Sequence, residues 1–162
     1  MTPRAAAVVG APAPTRAPAT AAGPGPAPAT APTPPPVQVL SFAEPMPGFP
    51  AYRDYVLIAG DTAGLLFWLQ SVAPDGPRFL AVPAREFFPD YAPAIPVAVR
   101  DELGLADPAE ARVFCLVSVP DGVPAEATAN LRAPVVVAPS THRARQVVLT
   151  DGSLPLRRRL RR

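Results

Sequence analysis

The sequence has 162 residues and a formal net charge of +2, with 26 proline residues and one cysteine. A single cysteine cannot form an internal disulfide, and no Cys/His spacing suits zinc, so disulfide scaffolds and zinc fingers are excluded. Since no apolar run approaches the roughly 18 residues of a membrane helix, we expect a cytoplasmic protein that does not enter a membrane.

The first 36 residues differ in composition from the rest of the chain. They contain 11 proline and 12 alanine residues and almost no large apolar side chain. Such a segment cannot offset its ordering entropy by burying surface, so we predict a disordered arm over residues 1–36. We place one folded domain at residues 37–157 and an arginine-rich tail at residues 158–162.

From Val37 onward, short apolar runs alternate with turn-forming Pro, Gly and Asp residues, as is typical of a sandwich or a barrel. Some runs, such as 112–119, are apolar on both faces, which indicates a sheet that curls over itself and buries both sides. We predict strands at residues 37–43, 53–59, 64–71, 78–82, 112–119, 133–138 and 144–150.

One helical segment interrupts the strands, over residues 96–112. Pro96 suits a helix start, Gly104 suits a helix stop, and Asp107 can cap a second short start. The sequence therefore predicts an all-β fold, in which a curled antiparallel sheet forms a small barrel-like domain with one short helical segment.

The residues able to support catalysis are few and isolated from one another. His142 is the only histidine, and it stands beside Ser140 and Thr141, whose side chains diverge from it along the backbone. Cys115 lies within a strand between two large apolar residues, which predicts a buried thiol that serves packing. We therefore expect no enzymatic activity, no cofactor, no metal and no small-molecule substrate.

Two short segments, 67–71 and 87–91, concentrate aromatic side chains. Strand alternation places some of these rings in the core, whereas aromatic rings that remain at a surface serve as binding anchors. Gln70 and Asn130 are polar residues within apolar runs, and each needs a hydrogen-bond partner inside the fold or on another protein. We predict a partner-binding site at Phe67, Trp68, Gln70, Asp90, Tyr91 and Asn130.

Six distinctive short motifs lie between residue 47 and residue 149. They are Pro47-Gly48-Phe49-Pro50, Phe67–Ser71, Phe88–Tyr91, Leu103-Gly104-Leu105, Ala127–Val137 and Arg145–Leu149. Ala127–Val137 is similar to a Thr-Ala-Asn-Leu-x-Ala-Pro signature, and the set, in this order, resembles the flagellar assembly factor FliW family. The resemblance covers about residues 45–150, and neither the Ala/Pro arm nor Arg158–Arg162 has a counterpart in that family.

The resemblance implies a curled, barrel-like antiparallel fold, which agrees with the strand pattern. It also implies that the chain binds the translational regulator CsrA and so relieves the repression of flagellin translation. Newly made flagellin is the second implied partner, and its binding withdraws the chain from CsrA. What the resemblance implies is thus a flagellar assembly factor and flagellin chaperone that acts by switching partners.

Charge is unevenly distributed along the chain. Residues 41–130 hold 12 acidic side chains and 5 arginines, a net charge of −7, whereas residues 131–162 hold 8 arginines and 1 acid, a net charge of +7. An acidic body suits docking to a basic, RNA-binding partner such as CsrA, although most acidic faces are simply solvated.

The alternative function is nucleic-acid binding through the arginine-rich C-terminus of a β-barrel. Arg157–Arg162 holds 5 arginines in 6 residues, enough to neutralise several phosphates. The segment lacks the interleaved aromatic residues on which single-strand binders stack bases, beyond the two clusters already assigned to partner binding. We therefore expect no direct contact with nucleic acid, and a tail that is solvated or folded onto the acidic body.

Overall fold

The computed structural model describes residues 37–161, and the predicted arm over residues 1–36 lies outside the described residues. Nine strands and two α-helices follow one another in the described part, together with three short 3₁₀ helices. The strands are β1 (Val37–Phe42), β2 (Asp54–Ala59), β3 (Phe67–Ser71), β4 (Arg78–Pro83), β5 (Arg112–Ser118), β6 (Thr128–Ala129), β7 (Val135–Ala138), β8 (Arg143–Gln146) and β9 (Arg158–Arg159). The helices are α1 (Ala84–Phe87) and α2 (Val97–Leu103), and the 3₁₀ helices are Pro108–Glu110, Pro120–Gly122 and Pro124–Glu126.

The strands form one sheet in the order β4-β3-β2-β1-β8-β7-β5-β6-β9, and an additional pairing of β4 with β5 closes its first seven strands into a barrel. All pairings are antiparallel except that of β1 with β8, which is parallel. β6 continues alongside β5 beyond β7, and β9 pairs with β6. The all-β, barrel-like fold predicted from the sequence is confirmed.

The inner core fills the barrel because alternate residues of each strand point inward. Its largest side chains include Tyr55 and Phe114, which are 0 % and 2 % exposed. Two further clusters cover parts of the outside. α2 packs on β7 through Val99, Leu103 and Val136, while Ala84, Cys115 and Ala129 belong to a cluster outside β4 and β5.

The helical segment ends as its sequence predicts. Pro96 is the N-cap of α2, and Gly104 ends it with a φ of 73°, a left-handed conformation that glycine adopts without a steric penalty. Asp107 caps the following 3₁₀ helix, because its Oδ1 accepts a hydrogen bond from the Ala109 amide at 2.9 Å.

The predicted strand over 64–71 starts three residues too early, because β3 begins at Phe67. A loop precedes it, in which Asp61 Oδ1 accepts hydrogen bonds from the amides of Leu65 at 3.0 Å and Leu66 at 3.2 Å. These local bonds compete with the sheet for the same backbone donors. The observed strand β8 is also shorter than the strand predicted over 144–150, since β8 ends at Gln146.

The short elements that were not predicted from the sequence include α1, β6 and β9. β9 consists of Arg158 and Arg159, two residues assigned to a separate tail on the sequence alone. Leu160 continues the contact, since its amide donates to the Ala127 carbonyl at 3.1 Å and its side chain packs against the cluster outside β4 and β5. Arg158 and Arg159 are therefore held at a defined place on the domain.

Candidate partner-binding surface

The alternation of β3 separates two of the predicted site residues that are adjacent in the chain. Phe67 faces the inner core, where its ring meets the Phe114 ring edge-on with centroids 5.4 Å apart. Trp68 and Gln70 lie on the opposite, outer side of the sheet, with Trp68 half-buried and Gln70 exposed. The structure therefore places Phe67 in the packing of the barrel and the other two residues at its surface.

The outer side of β1, β2, β3 and β4 is lined by two rows of cross-strand neighbours. One row runs through Val37, Ile58, Trp68 and Leu80, which are directly paired from strand to strand. The other row runs through Val39, Val56, Gln70 and Arg78. We call these eight residues the outer face.

The outer face is strongly apolar for a surface. Val37 is 57 % exposed and Val39 is 55 % exposed, and both stand beside aliphatic or aromatic neighbours rather than singly. Scattered apolar residues are normal at protein surfaces, but contiguous patches mark interaction sites. The outer face is therefore the part of the barrel wall best suited to contact another protein.

The remaining outer wall of the barrel is covered by the chain itself. α2 lies over β7 and β8, where Arg145 forms ion pairs with Glu102 of α2 and, at 3.0 Å, with Glu44. α1, β6 and Leu160 lie outside β4 and β5. Leu80, at the β4 end of the outer face, packs against the cluster outside β4 and β5, whereas the other seven residues of the outer face belong to none of the three clusters formed within residues 37–161.

A single cation stands within the outer face. The Arg78 guanidinium lies over the Trp68 ring, 3.9 Å from its centroid, which is a favourable cation–π geometry. Arg78 Nε is buried and has no hydrogen-bond partner among the described residues. Gly60 approaches the indole nitrogen so closely that an added Cβ would lie 3.3 Å from Trp68 Nε1. The tryptophan is thus fixed in one orientation.

The other predicted site residues lie where the segment after α1 meets the segment after β6. Tyr91 is half-buried, and its hydroxyl donates a hydrogen bond to the Leu131 carbonyl at 2.6 Å. Burial, and to a lesser degree the nearby Cys115 thiol, raises the pKa of Tyr91 well above its ordinary value. Asp90 is exposed beside it.

Asn130 finds its hydrogen-bond partners inside the fold. Its Oδ1 accepts bonds from the amides of Arg132 at 2.9 Å and Ala133 at 3.2 Å. These bonds hold the turn that connects β6 to β7, which is the most specific of the motifs found in the sequence. Asn130 and Tyr91 therefore brace the same loop from two sides, whereas the exposed Gln70 keeps its amide at the surface.

Sequence reasoning missed most of the outer face. Val37, Val39, Val56 and Ile58 carry the signal that could have found it, because β1 and β2 have apolar residues at alternate positions on both sides. In an antiparallel sheet with one face in water, polar residues are expected at those positions. The sequence alone does not show which of the two apolar sides faces the barrel interior.

The residues weighed for catalysis lie in inert settings. Cys115 is fully buried, as predicted, and burial raises the pKa of its thiol to about 12, so that it stays protonated at neutral pH. His142 is exposed in the turn between β7 and β8, with a left-handed φ of 57°.

Over residues 37–161, the helices are all too short or too polar to cross a membrane.

Comparison with known proteins gives a consistent family assignment. The family model described as FliW protein matches residues 32–160 of this chain, so the likeness extends beyond residues 45–150 and includes Arg158 and Arg159, which were predicted to have no counterpart in the family. A flagellar assembly factor FliW from Thermotoga neapolitana is 32% identical over 120 residues, which cover 74% of this chain and 80% of that protein. A flagellar assembly factor FliW from Bdellovibrio bacteriovorus is 36% identical over 119 residues, covering 74% of this chain and 67% of that protein.

A solved structure shares the fold. The crystal structure of a flagellar assembly factor FliW superposes with a TM-score of 0.69 at 24% sequence identity. The match covers 75% of this chain and 84% of that one. The overall fold of the matched part is therefore one already seen in a crystal.

Proposed function

The chain belongs to the FliW family, and on that basis we propose that it is a cytoplasmic flagellar assembly factor that binds CsrA and flagellin in alternation. Binding to CsrA relieves the repression of flagellin translation, and newly made flagellin withdraws the chain from CsrA. The role is that of an antagonist and chaperone, which requires binding surfaces and neither a catalytic centre nor a cofactor.

The observation that carries this proposal is the outer face. Its two rows present Val37, Val39, Val56, Ile58 and Trp68 on a stretch of barrel wall over which none of the clusters formed within residues 37–161 packs. Half-buried aromatic residues surrounded by aliphatic side chains are frequent hot spots of protein–protein interfaces. Trp68 and Gln70 were predicted as partner-binding residues, and their position on this face supports that assignment.

Charge supports CsrA as one partner. Residues 41–130 carry a net charge of −7, and a regulator that holds RNA phosphates must itself be basic. Complementary charge raises the association rate of two proteins and suppresses wrong partners. An acidic body also repels the RNA that CsrA binds, which favours exchange of RNA for protein.

Mixing experiments with three purified proteins test the proposal. The full chain, CsrA and flagellin are combined pairwise and together, and complexes are followed by size-exclusion chromatography and by isothermal titration calorimetry. We expect a complex with each partner at micromolar concentration, and we expect added flagellin to release CsrA from its complex. Failure to bind either partner, or simultaneous binding of both without displacement, contradicts partner switching.

A further inference from the structure

A second surface of the domain combines arginine and phenylalanine side chains. A cleft of about 410 Å³ is lined by Phe87 and Phe88 from the end of α1 and by Arg158, Arg159 and Arg161 from β9 and the residues after it. We call it the basic–aromatic cleft. Among the described residues, its lining therefore combines three arginines with two phenylalanines.

The cleft is built from elements that are fixed to the domain. β9 pairs with β6 through Thr128 opposite Arg159 and Ala129 opposite Arg158. Leu160 packs against the cluster outside β4 and β5, so the chain between Arg159 and Arg161 is tied down. Arg158, Arg159 and Arg161 are all exposed.

The two phenylalanines are held from the other side. The Phe88 amide donates to the Ala84 carbonyl at 2.8 Å, and Phe88 is only 9 % exposed. Phe87 is half-buried, and its ring centroid lies 6.4 Å from that of Phe88. Phe88 therefore forms the floor of the cleft, and Phe87 offers the ring at its wall.

We propose that the basic–aromatic cleft binds single-stranded RNA, with backbone phosphates on Arg158, Arg159 and Arg161 and one base against Phe87. On the sequence alone, the terminal arginines lack the aromatic residues on which single-strand binders stack bases. The fold removes that objection, because the pairing of β9 with β6 brings the arginines to the phenylalanines of α1. Guanidinium groups match phosphate geometry, and an aromatic ring accepts any base by stacking.

Single-stranded RNA fits these residues better than an acidic peptide does. An acidic peptide would engage the arginines but offers no planar base for Phe87. We expect a short footprint, because the net charge of −7 over residues 41–130 disfavours further phosphate contacts on the domain. This site is separate from the outer face, and the proposal does not depend on binding to CsrA or flagellin.

Fluorescence anisotropy with a labelled single-stranded RNA of about 12 nucleotides and mixed sequence tests the proposal on the full chain. For three phosphate contacts, log K should fall against log salt concentration with a slope of about −2, or roughly 20-fold between 50 and 200 mM KCl. Replacing Arg158, Arg159 and Arg161 together by Gln should weaken binding at least about tenfold and remove most of that slope.

Two matched controls separate the cleft from general charge attraction. The triple variant Arg53→Gln, Arg112→Gln and Arg143→Gln removes the same charge from exposed arginines that do not line the cleft, and it should bind RNA as the parent does. Phe87→Leu keeps an apolar side chain but removes the stacking ring, and it should weaken binding at least about fivefold. Phe49→Leu changes a half-buried ring that does not line the cleft, and it should leave RNA binding at the parental level.

Three results would overturn the proposal. The first is the absence of RNA binding at 50 mM salt, and the second is an equal loss in both triple variants. The third is a combined result: a polyglutamate peptide of equal charge displaces the RNA, and the Phe87→Leu variant binds RNA with the parental affinity. That result would identify a site for acidic protein segments. Circular dichroism of each variant establishes that the loss does not come from unfolding.

Discussion

The guanidinium of Arg78 on β4 lies 3.9 Å from the centroid of the Trp68 ring on β3, on the outer side of the barrel. Trp68 was predicted from the sequence as a partner-binding residue, whereas no sequence motif links Arg78 to it. The contact holds the indole against the sheet, with the Gly60 backbone close to the indole nitrogen. The aromatic part of the outer face is thereby ordered before any partner arrives.

A double-mutant cycle measures this pair. Arg78→Met keeps an unbranched side chain but removes the charge, so the free energy of unfolding should fall by about 0.5–1 kcal/mol. The same change in a Trp68→Ala background should cost nothing further. Urea unfolding followed by circular dichroism gives the four free energies. Equal costs of Arg78→Met in both backgrounds would show that the two residues are not coupled.

The Tyr91 hydroxyl is expected to stabilise the loop after β6. Tyr91→Phe removes the donor to the Leu131 carbonyl and leaves that part-buried oxygen without its partner, at a cost of about 1–2 kcal/mol in urea unfolding. Tyr52→Phe is the matched control, because the Tyr52 hydroxyl bonds the Asp75 carbonyl at 3.3 Å in an exposed setting, where water replaces it. Equal losses in the two variants would contradict this account.

Asn130 is expected to act through its side-chain oxygen. Asn130→Ala leaves the amides of Arg132 and Ala133 without their acceptor and should lower the free energy of unfolding by about 2 kcal/mol. Asn130→Asp keeps an acceptor at the same place and should recover most of that loss. Thermal unfolding of the three proteins compares them directly. An Asp variant as unstable as the Ala variant would mean that the turn depends on the amide group instead.

Burial of Cys115 makes stability depend on alkaline pH. Its thiol has a pKa of about 12 in the fold and near 9 when unfolded, so the unfolded chain loses a proton first as the pH rises. The contribution of the protonated thiol to stability is fully present below about pH 9 and is lost as the pH rises towards 12. By about pH 10.5, about 2 kcal/mol of stability has been lost.

Urea unfolding at a series of pH values measures that dependence, with Cys115→Ala as the reference. Tyr55, whose pKa burial also raises, contributes equally in both proteins, whereas Tyr91 loses in the variant the smaller part of its upward pKa shift that comes from Cys115. The parent should therefore lose stability more steeply than the variant between about pH 8.5 and 10.5. Parallel curves for the two proteins would show that the thiol does not remain protonated in the fold.

Local signals in the sequence account for much of the fold. Alternating apolar residues located the seven barrel strands, and Pro96, Gly104 and Asp107 marked the helical segment because caps act on their own neighbours. The loop before β3 was misplaced because Asp61 reaches forward to bond two backbone amides, a side-chain choice that apolar periodicity does not reveal.

The candidate site was harder to predict, since it depends on contacts between distant segments. The sequence does not show that Phe67 faces inward and Trp68 outward, because both sides of β3 are apolar. Two-residue strands such as β9 have no periodicity, so nothing local indicated that Arg158 would pair beside Ala129. Asn130 was chosen as a polar residue needing a partner, and the partners proved to be amides of its own turn.

The central claim is that the outer face binds the partners of this protein. Val39→Arg tests it most directly, because Val39 is 55 % exposed and a charge there disturbs the face without removing buried packing. Val148→Arg, at a residue 63 % exposed outside the face, is the matched control. Calorimetric titration of both variants with CsrA and with flagellin should show at least about tenfold weaker binding of one partner or both for Val39→Arg, and parental binding for Val148→Arg. Parental affinity of Val39→Arg for both partners would contradict the claim.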